Sequence, residues 1–203
     1  MKIICIGFNY VKHTEELKSD IPQKPIFFLK PDSAILRNNN PFYLPDFSKE
    51  IHHEVEIVLK INRLGKNIAS KFAYRYFEEI GIGIDFTARD LQNECKAKGL
   101  PWEISKVFDY SAAIGKFFKK DVFNDLKNIH FNLSLNGNIV QKGCTADMIF
   151  GFDEIIAYVS QFMTLRTGDL IYTGTPAGVG SVKIGDRLQA YIEEKLMLDF
   201  FVK

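Results

Sequence analysis

Two glutamates one residue apart are the first side chains whose type and spacing could do chemistry. They are Glu54 and Glu56, in the sequence HHEVEI at residues 52–57. Side chains alternate along a strand, so both carboxylates project from the same face. On a sheet rich in aliphatic residues they repel each other, and burying them without compensation costs several kcal/mol. Either a bound cation removes that cost, or the segment is an edge strand with one solvated face.

A third carboxylate favours the cation. Asp85 ends the apolar run at residues 80–84, where an unpaired carboxylate is out of place unless it faces a site at the mouth of a sheet. Three carboxylates without a thiolate form an all-oxygen ligand set, which suits Mg²⁺ or Mn²⁺ and leaves Ca²⁺ as a structural substitute. Zinc is disfavoured, because there is no HExxH motif and the segment resembles a strand rather than a helix.

Residues that could hold an anion follow this third carboxylate. If Thr87 begins a helix, Arg89 and Gln92 lie three residues apart on one face, near the helix N-terminus. A guanidinium is the usual bidentate partner of a carboxylate. The same segment could instead be an amphipathic surface helix with Arg89 in a local ion pair. Lys106, just before an apolar Val-Phe pair, could add a fixed positive charge or face solvent.

Two further segments carry candidate groups. His13 and Glu16 are spaced i, i+3, so on a helical turn the carboxylate can accept a proton from one ring nitrogen and leave the other as a base toward water. The glycine-rich segment at residues 174–180 follows an apolar strand and offers backbone N–H groups and the Thr175 hydroxyl. It lacks the Gly-Lys-Ser/Thr of a phosphate loop. A solvated HxxE turn and a plain structural turn are the alternatives.

The elements that must position these residues are mostly strands. Short alternating or β-branched runs separated by turn residues predict an α+β protein that is mainly β. The predicted strands cover 2–6, 26–29, 51–61, 80–86, 130–135, 139–142, 169–172, 187–192 and 196–202. The predicted helices cover 70–77, 87–98 and 152–162. The Asn136-Gly137 step predicts a type I′ hairpin, and residues 37–45 are predicted to form a surface loop.

Composition excludes several classes of protein. The chain has 203 residues, of which 46% are hydrophobic and 25% charged, so it is globular. Without a repeat or a linker, residues 1–203 are expected to form a single domain. The formal charge of +1 argues against nucleic acid as a partner. No apolar stretch reaches the roughly 20 residues of a membrane span, and the apolar start is too short for a signal peptide.

Three dispersed cysteines without a CxxC pair indicate buried thiols in a reducing compartment rather than a disulfide framework. A cytoplasmic location is therefore expected.

The order and spacing of these motifs resemble the fumarylacetoacetate hydrolase family. The motifs that carry the resemblance are GxNYxxHxxE, HHEVE, GxDxTARDxQ, GLPWxxxK, NGxxVQxGxTxxMIF and GDLIxTGTPxGVG, from Gly7 to about Val202. Within the family, NECKAKGLPWEISKVF is most similar to the acylpyruvate hydrolase and oxaloacetate decarboxylase branch. The fold implied is a mixed β-roll of bent sheets with a few short helices, usually in a homodimer.

The resemblance also implies site residues. The implied Mg²⁺ or Mn²⁺ ligands are Glu54, Glu56 and Asp85. The implied catalytic groups are His13, Glu16 and Lys106. The implied groups around the substrate are Arg89, Gln92, Lys106 and Thr175. Two departures stand out: many relatives carry Arg or another polar residue where Phe8 stands, and many have an extra N-terminal domain. Phe8 argues against a first-loop contact with an acidic substrate tail.

The chemistry that fits both residues and resemblance is cleavage of a C–C bond in a small 2-oxo acid. Acylpyruvates such as fumarylpyruvate or acetylpyruvate would be hydrolysed and oxaloacetate decarboxylated, in each case with pyruvate enolate leaving while the ion takes up its charge. One alternative is a 2-hydroxyhepta-2,4-diene-1,7-dioate isomerase or 5-oxopent-3-ene-1,2,5-tricarboxylate decarboxylase type of enzyme, which transfers a proton. Another is a non-catalytic protein that binds a divalent ion or a small anion.

Overall fold

Strands dominate the computed structural model, which describes residues 1–203. The strands are β1 (Ile3–Gly7), β2 (Ile26–Lys30), β3 (Ile35–Leu36), β4 (Ile51–His53), β5 (Val55–Ile61), β6 (Phe77–Asp85), β7 (Thr87–Ala88), β8 (Ala112–Lys119), β9 (His130–Leu135), β10 (Asn138–Cys144), β11 (Leu170–Tyr172), β12 (Gly180–Ser181), β13 (Arg187–Ile192) and β14 (Lys195–Phe201). The helices are α1 (Val11–Glu16), α2 (Ser70–Ala73), α3 (Arg89–Lys98), α4 (Glu103–Lys106) and α5 (Phe152–Phe162).

A seven-stranded mixed sheet forms the centre of the molecule, in the order β2-β1-β11-β5-β6-β8-β3. Strand β1 pairs in parallel with β11, and β11, β5, β6 and β8 continue the sheet in antiparallel order. Both faces of this sheet are covered, so β5 is an almost continuous aliphatic run in which only Lys60 is not fully buried. Glu54, Glu56 and Asp85, which lie in or beside β5 and β6 of this sheet, are therefore buried.

Two smaller sheets complete the roll. One has the order β10-β9-β13-β14, and the other has the order β12-β4-β7. Register shifts interrupt the pairing of β6 with β8 and of β13 with β14, and such irregularities bend strands. The predicted mainly β architecture of bent sheets with few helices is confirmed.

The predicted strand at 51–61 is divided at Glu54. Strand β4 pairs with β12 and β7 in the small sheet, whereas β5 pairs with β11 and β6 in the central sheet. The Glu54 carbonyl still accepts a hydrogen bond from Asp85 N–H at 2.8 Å. One carboxylate thus stands where the chain changes sheet, a feature that residue alternation alone does not reveal.

Several predicted boundaries are wrong for identifiable reasons. The helix predicted at 87–98 begins at Arg89, because Thr87 and Ala88 form β7 against β4. The helix predicted at 70–77 ends at Ala73, and Phe77 already belongs to β6. Tertiary pairing overrides local helix propensity at both places. Strand β8 was not predicted at all.

The turn predictions have mixed outcomes. Asn136 and Gly137 adopt φ angles of 53° and 84°, the left-handed pair of a type I′ hairpin, so this prediction is confirmed. The surface loop predicted at 37–45 is wrong in part, because Phe42 is buried and stacks on Phe86 with ring centroids 3.9 Å apart. The cysteines are buried and free, as predicted. None of the helices combines the length and apolar character needed to cross a membrane.

Candidate metal centre

Three carboxylates converge where β5 and β6 lie side by side. Glu56 pairs with Gly83 in the antiparallel ladder, which places Asp85, at the end of β6, next to Glu54. All three side chains are buried, and one ligand oxygen from each lies within 4.8 Å of the others. The structure therefore brings together the three residues that the sequence marks as metal ligands.

Three buried cations surround these carboxylates. Lys106 Nζ donates to Glu54 Oε2 and Asp85 Oδ2, both at 2.8 Å, and to Thr87 Oγ1 at 2.6 Å. Arg89 Nη2 donates to the other oxygen of Glu54. Lys30 Nζ lies 2.7 Å from Asp85 Oδ1. Glu54 is thus held between two cations, a strong arrangement because each hydrogen bond is charge-assisted.

The oxygens left over fit a hard divalent ion. The Lys30 ammonium donates to Phe86 O, Ser111 O and Ser111 Oγ, at 3.2, 3.0 and 2.9 Å, so its contact with the buried Asp85 Oδ1 is an ion pair without a directed hydrogen bond. Glu56 Oε2 accepts a hydrogen bond from Gly174 N–H at 2.6 Å. Carboxylate oxygens have several lone pairs each, and an oxygen-only set suits Mg²⁺ or Mn²⁺. The cavity they border has about 20 Å³, which is room for one ion or water.

The two glutamates have opposite electrostatic environments. Burial acts to raise the pKa of Glu54, but Lys106 and Arg89 outweigh it and hold that pKa below its ordinary value. Burial and the neighbouring Asp85 and Glu54 carboxylates raise the pKa of Glu56 well above its ordinary value. Burial also opposes the charge of Lys106, yet Asp85 and Glu54 raise its pKa. Glu56 is therefore the carboxyl group of the three that most readily holds a proton, and an ion bound there would have to displace it.

Adding the ion is expected to stabilise the fold, and more so at higher pH. The unfolded chain loses the Glu56 proton near the ordinary value of 4.5, whereas the folded protein keeps it to higher pH. The contribution of Glu56 to the stability of the metal-free protein therefore falls as pH rises through that window, whereas His13, His52 and His53, whose pKa values burial lowers, contribute in the opposite direction. Ion at about 100 times its Kd should add about 2.7 kcal/mol. Thermal melts with EDTA and with Mg²⁺ or Mn²⁺, at about pH 5.5 and about pH 8, measure this difference.

Glu56→Gln is the matched variant for this measurement. It keeps the size of the side chain but removes the Glu56 carboxyl group, so the difference in stability between the unchanged protein and the variant, both metal-free, isolates the contribution of Glu56 at each pH. The melting temperature of the variant should respond little to the ion. An ion response in this variant equal to that of the unchanged protein would show that Glu56 is not a ligand.

A histidine–carboxylate pair lies at the rim of the same pocket. His13 Nδ1 is 3.2 Å from Glu16 Oε2 on α1, and His13 borders the pocket with the three carboxylates. Glu16 is about one-third exposed and also accepts hydrogen bonds from Gly178 N–H at 3.2 and 3.3 Å. Burial lowers the pKa of His13, although Glu54 and Glu16 oppose that effect. The imidazole is consequently neutral at neutral pH.

The backbone before α1 is anchored by one asparagine. Asn9 Nδ2 donates to Thr173 O at 2.8 Å and to Phe150 O at 3.0 Å, and its Oδ1 accepts from Phe150 N–H at 2.8 Å. A Cβ on Gly174, whose φ is 103°, would lie only 2.6 Å from the Cβ of Asn9. Glycine is required there, because only it combines this φ with so close an approach. These contacts hold the histidine segment against the glycine-rich loop.

The predicted anion-binding residues border the same pocket. Arg89 Nη1 donates to Gln92 Oε1 at 2.5 Å, so the two residues are neighbours on α3 as their spacing predicts. Thr175 Oγ1 donates to Val55 O and accepts from Gln141 Nε2, both at 2.9 Å. Glu16 alone among the predicted site residues does not border the pocket, which it reaches through His13.

Comparison with known proteins identifies the family of this chain. The family model described as fumarylacetoacetate (FAA) hydrolase C-terminal matches residues 2–199. The chain belongs to the fumarylacetoacetate hydrolase family. Two relatives are a mitochondrial oxaloacetate decarboxylase of Dictyostelium discoideum and a mitochondrial oxaloacetate tautomerase of Bos taurus. The first is 44% identical over 94% of this chain and 88% of the relative, and the second is 40% identical over 99% and 91%.

A solved structure of the same family carries ligands. The fumarylpyruvate hydrolase of Pseudomonas aeruginosa, in complex with Mn²⁺ and pyruvate, matches with a TM-score of 0.94 and 33% identity, covering 100% of this chain and 89% of the other. The family therefore includes metal-binding enzymes that act on 2-oxo acids.

Sequence reasoning missed two buried residues of this family member. Lys30 ends β2, and nothing in its neighbourhood separates it from a solvent-facing lysine. Gln141 of β10 accepts from Val55 N–H at 3.0 Å, lies 2.9 Å from His53 Nδ1, and donates to Thr175 and Pro176. Its place in the NGxxVQxGxT motif was a signal, but the motif does not indicate which sheet the amide faces.

Proposed function

We propose that this member of the fumarylacetoacetate hydrolase family is a divalent-metal-dependent enzyme that cleaves C–C bonds of small 2-oxo acids. It would hydrolyse acylpyruvates and decarboxylate oxaloacetate. The observation that carries the proposal is one buried pocket bordered by three carboxylates, His13 and the cations Arg89 and Lys106. The names of the decarboxylase and hydrolase relatives support it.

Glu54, Glu56 and Asp85 would hold Mg²⁺ or Mn²⁺, which supplies positive charge where the keto oxygen of the substrate becomes negative. Arg89 binds the substrate carboxylate, because its guanidinium has more N–H donors than those it gives to Glu54 and Gln92. Lys106 gives its three donors to Glu54, Asp85 and Thr87, so it acts as a fixed positive charge beside the reacting oxygen. Gln92, hydrogen-bonded to Arg89, orients the guanidinium.

His13 acts as the base in hydrolysis. A proton on Nδ1 is donated to Glu16, which leaves Nε2 to take a proton from water. The oxygen of that water bonds to the acyl carbonyl carbon, the C–C bond to the methylene breaks, and pyruvate enolate departs and is protonated. Decarboxylation of oxaloacetate also yields pyruvate enolate, with loss of CO₂, but it requires no water and no base.

The pH profile of hydrolysis reports the state of His13. Because burial lowers its pKa from 6.5, the rate should be constant at neutral pH and fall only below pH 6.5. Glu16 raises the His13 pKa, so Glu16→Gln should move the midpoint of that fall to still lower pH and reduce the maximal rate. The measurement is kcat/KM for an acylpyruvate across pH. A midpoint unchanged by Glu16→Gln would contradict the pairing.

Proton transfer without bond cleavage is the second candidate. Keto–enol exchange of oxaloacetate needs a base beside the activated 2-oxo group, and the name of the Bos taurus relative favours it. Isomerisation of a 2-hydroxy-dienedioate would use His13 in the same way. A protein that only binds ions remains the non-enzymatic alternative, and it predicts metal binding without turnover.

A substrate panel separates these activities. The metal-free protein is reconstituted with Mg²⁺ or Mn²⁺ and assayed with acetylpyruvate, fumarylpyruvate, oxaloacetate in both keto and enol forms, and a 2-hydroxy-dienedioate. The proposal expects pyruvate from the first three, dependent on the ion. Enol–keto exchange without pyruvate would support the second candidate. Ion binding with no turnover of any compound would refute both.

Five points stay predictions: the choice between Mg²⁺ and Mn²⁺, the homodimer, the single domain over residues 1–203, the absence of a nucleic-acid partner and the cytoplasmic location. Two relatives are named as mitochondrial proteins, which bears on the last of these.

A further inference from the structure

A second cavity adjoins the metal pocket along the free edge of the central sheet. It has about 270 Å³ and lies between residues 26–29 of the edge strand β2 and residues 100–107. Seven of its ten lining residues are hydrophobic. This volume approaches the lower end of the range for small-molecule sites, about 300 Å³. The proposed C–C bond cleavage takes place in the metal pocket and does not use this cavity.

Three side chains separate the two spaces and border both of them. They are Phe28, Trp102 and Lys106. The Lys106 ammonium, held by the carboxylates, lies 5.0 Å from the centre of the Phe28 ring. The metal pocket itself has room for about one ion or water, so an acyl group bound at the ion must extend elsewhere. Because only these three side chains stand between the two spaces, the adjacent cavity is where such a group can extend.

An aromatic wall continues from the partition to the first loop. Phe8 borders the metal pocket with φ at 56°, a left-handed backbone that bulky residues rarely adopt. Its ring meets Trp102 edge to face, with centroids 6.2 Å apart. The surrounding structure therefore holds Phe8 in a strained conformation in which its ring extends the apolar wall formed by Trp102.

We infer that the cavity between β2 and residues 100–107, entered past Phe8, Phe28 and Trp102, is a subsite for the hydrocarbon acyl chain of the substrate. The inference rests on the proposed function and narrows its substrate class: the enzyme prefers acylpyruvates with uncharged acyl chains to those that end in a carboxylate.

The charges around the subsite support this choice. Only Glu103 and Lys106 among its lining residues are charged, and the Lys106 ammonium is engaged by Glu54 and Asp85. Glu103 is exposed at the rim, where it repels a second carboxylate. Lys96 borders neither cavity, and its ammonium lies 5.2 and 5.7 Å from the ring centres of Phe8 and Trp102.

Fluorescence of Trp102, the only tryptophan, gives a readout independent of turnover. The Mg²⁺-loaded protein is titrated with 2-oxobutanoate, 2-oxohexanoate, 2-oxooctanoate and the carboxylate-ended 2-oxoadipate. Kd should fall about fourfold for each added methylene group, the value for full burial. 2-Oxoadipate should bind more weakly than 2-oxohexanoate. In kinetics, hexanoylpyruvate should exceed acetylpyruvate and fumarylpyruvate in kcat/KM.

Leu100→Glu places a charge in the subsite at a half-exposed position, and Leu64→Glu is its matched control at an exposed leucine elsewhere. The first should abolish the chain-length preference, and the second should keep it. Glu103→Lys should improve binding of 2-oxoadipate relative to 2-oxohexanoate by several-fold. Melting temperatures of all variants show whether each is folded.

Four results would overturn the inference. Kd and kcat/KM independent of chain length in the unchanged protein would refute the subsite alone. A chain-length preference that survives in folded Leu100→Glu would show that the acyl chain binds elsewhere. If the molecular mass of that variant in solution also differs from that of the unchanged protein, the cavity is covered by a second copy of the chain. Loss of fumarylpyruvate turnover in Lys96→Met would show that the tail is recognised by charge. Failure to bind or convert any 2-oxo acid would refute the proposed function itself.

Discussion

Replacing Asp85 with alanine is expected to abolish metal-dependent turnover of both acylpyruvates and oxaloacetate. Asp85 lies in the buried cluster of three carboxylates that could hold the ion, and both reactions develop charge on the same keto oxygen. A loss of about 4 kcal/mol of transition-state stabilisation corresponds to about 1,000-fold in rate, and the loss here should be at least that large. The measurement is kcat/KM for both substrates with the ion at several concentrations.

The control must separate chemistry from folding. Asp85→Ala leaves Lys30 and Lys106 without their shared partner, and breaking a buried ion pair costs about 3–5 kcal/mol. Asp85→Asn keeps the shape and removes only the charge, while Asp121→Ala serves as the exposed matched variant. A folded Asp85→Asn protein with unchanged ion affinity and turnover would exclude the metal centre proposed here.

Replacing His13 with alanine is expected to separate the two activities. Hydrolysis needs a base to activate water and should fall about 100- to 10,000-fold. Decarboxylation requires no proton removal, so its rate should fall by no more than about tenfold, through altered packing of the pocket. Both activities are measured on the same preparation with saturating Mg²⁺ or Mn²⁺.

His130→Ala is the matched histidine variant, because His130 is exposed on β9 and lies outside the pocket. It should leave both rates unchanged. Equal loss of hydrolysis and decarboxylation in His13→Ala, in a protein with normal ion affinity, would contradict the division of labour. It would instead favour a common proton-transfer step, as the tautomerase candidate requires.

The candidate site was readable from the sequence where its residues are close in the chain. The alternation of Glu54 and Glu56 and the helical spacings of His13 with Glu16 and of Arg89 with Gln92 each predict a shared face, and the structure shows each pair together. Strand periodicity likewise located β9 and β13, and helical periodicity located α5, with the ends that the structure shows.

Contacts between residues that are far apart in the sequence could not be predicted from local spacing. Lys30 meets Asp85 although β1, β11 and β5 lie between β2 and β6 in the central sheet, and Gln141 reaches Val55 from another sheet. A lysine or glutamine has the same local pattern whether it is solvated or buried. Only the pairing of distant strands distinguishes the two environments.

By itself, the sequence determined the mainly β architecture, the three carboxylates that cluster and the family, because these depend on periodicity, residue type and motif spacing. The tertiary structure decided the charge balance around the carboxylates, the break at Glu54 and the apolar space behind Trp102. These features depend on which side chains, distant in the sequence, lie close together in the protein interior. There the dielectric constant is low, so the electrostatic energy of each charged group depends on its neighbours in space rather than on its neighbours in the chain.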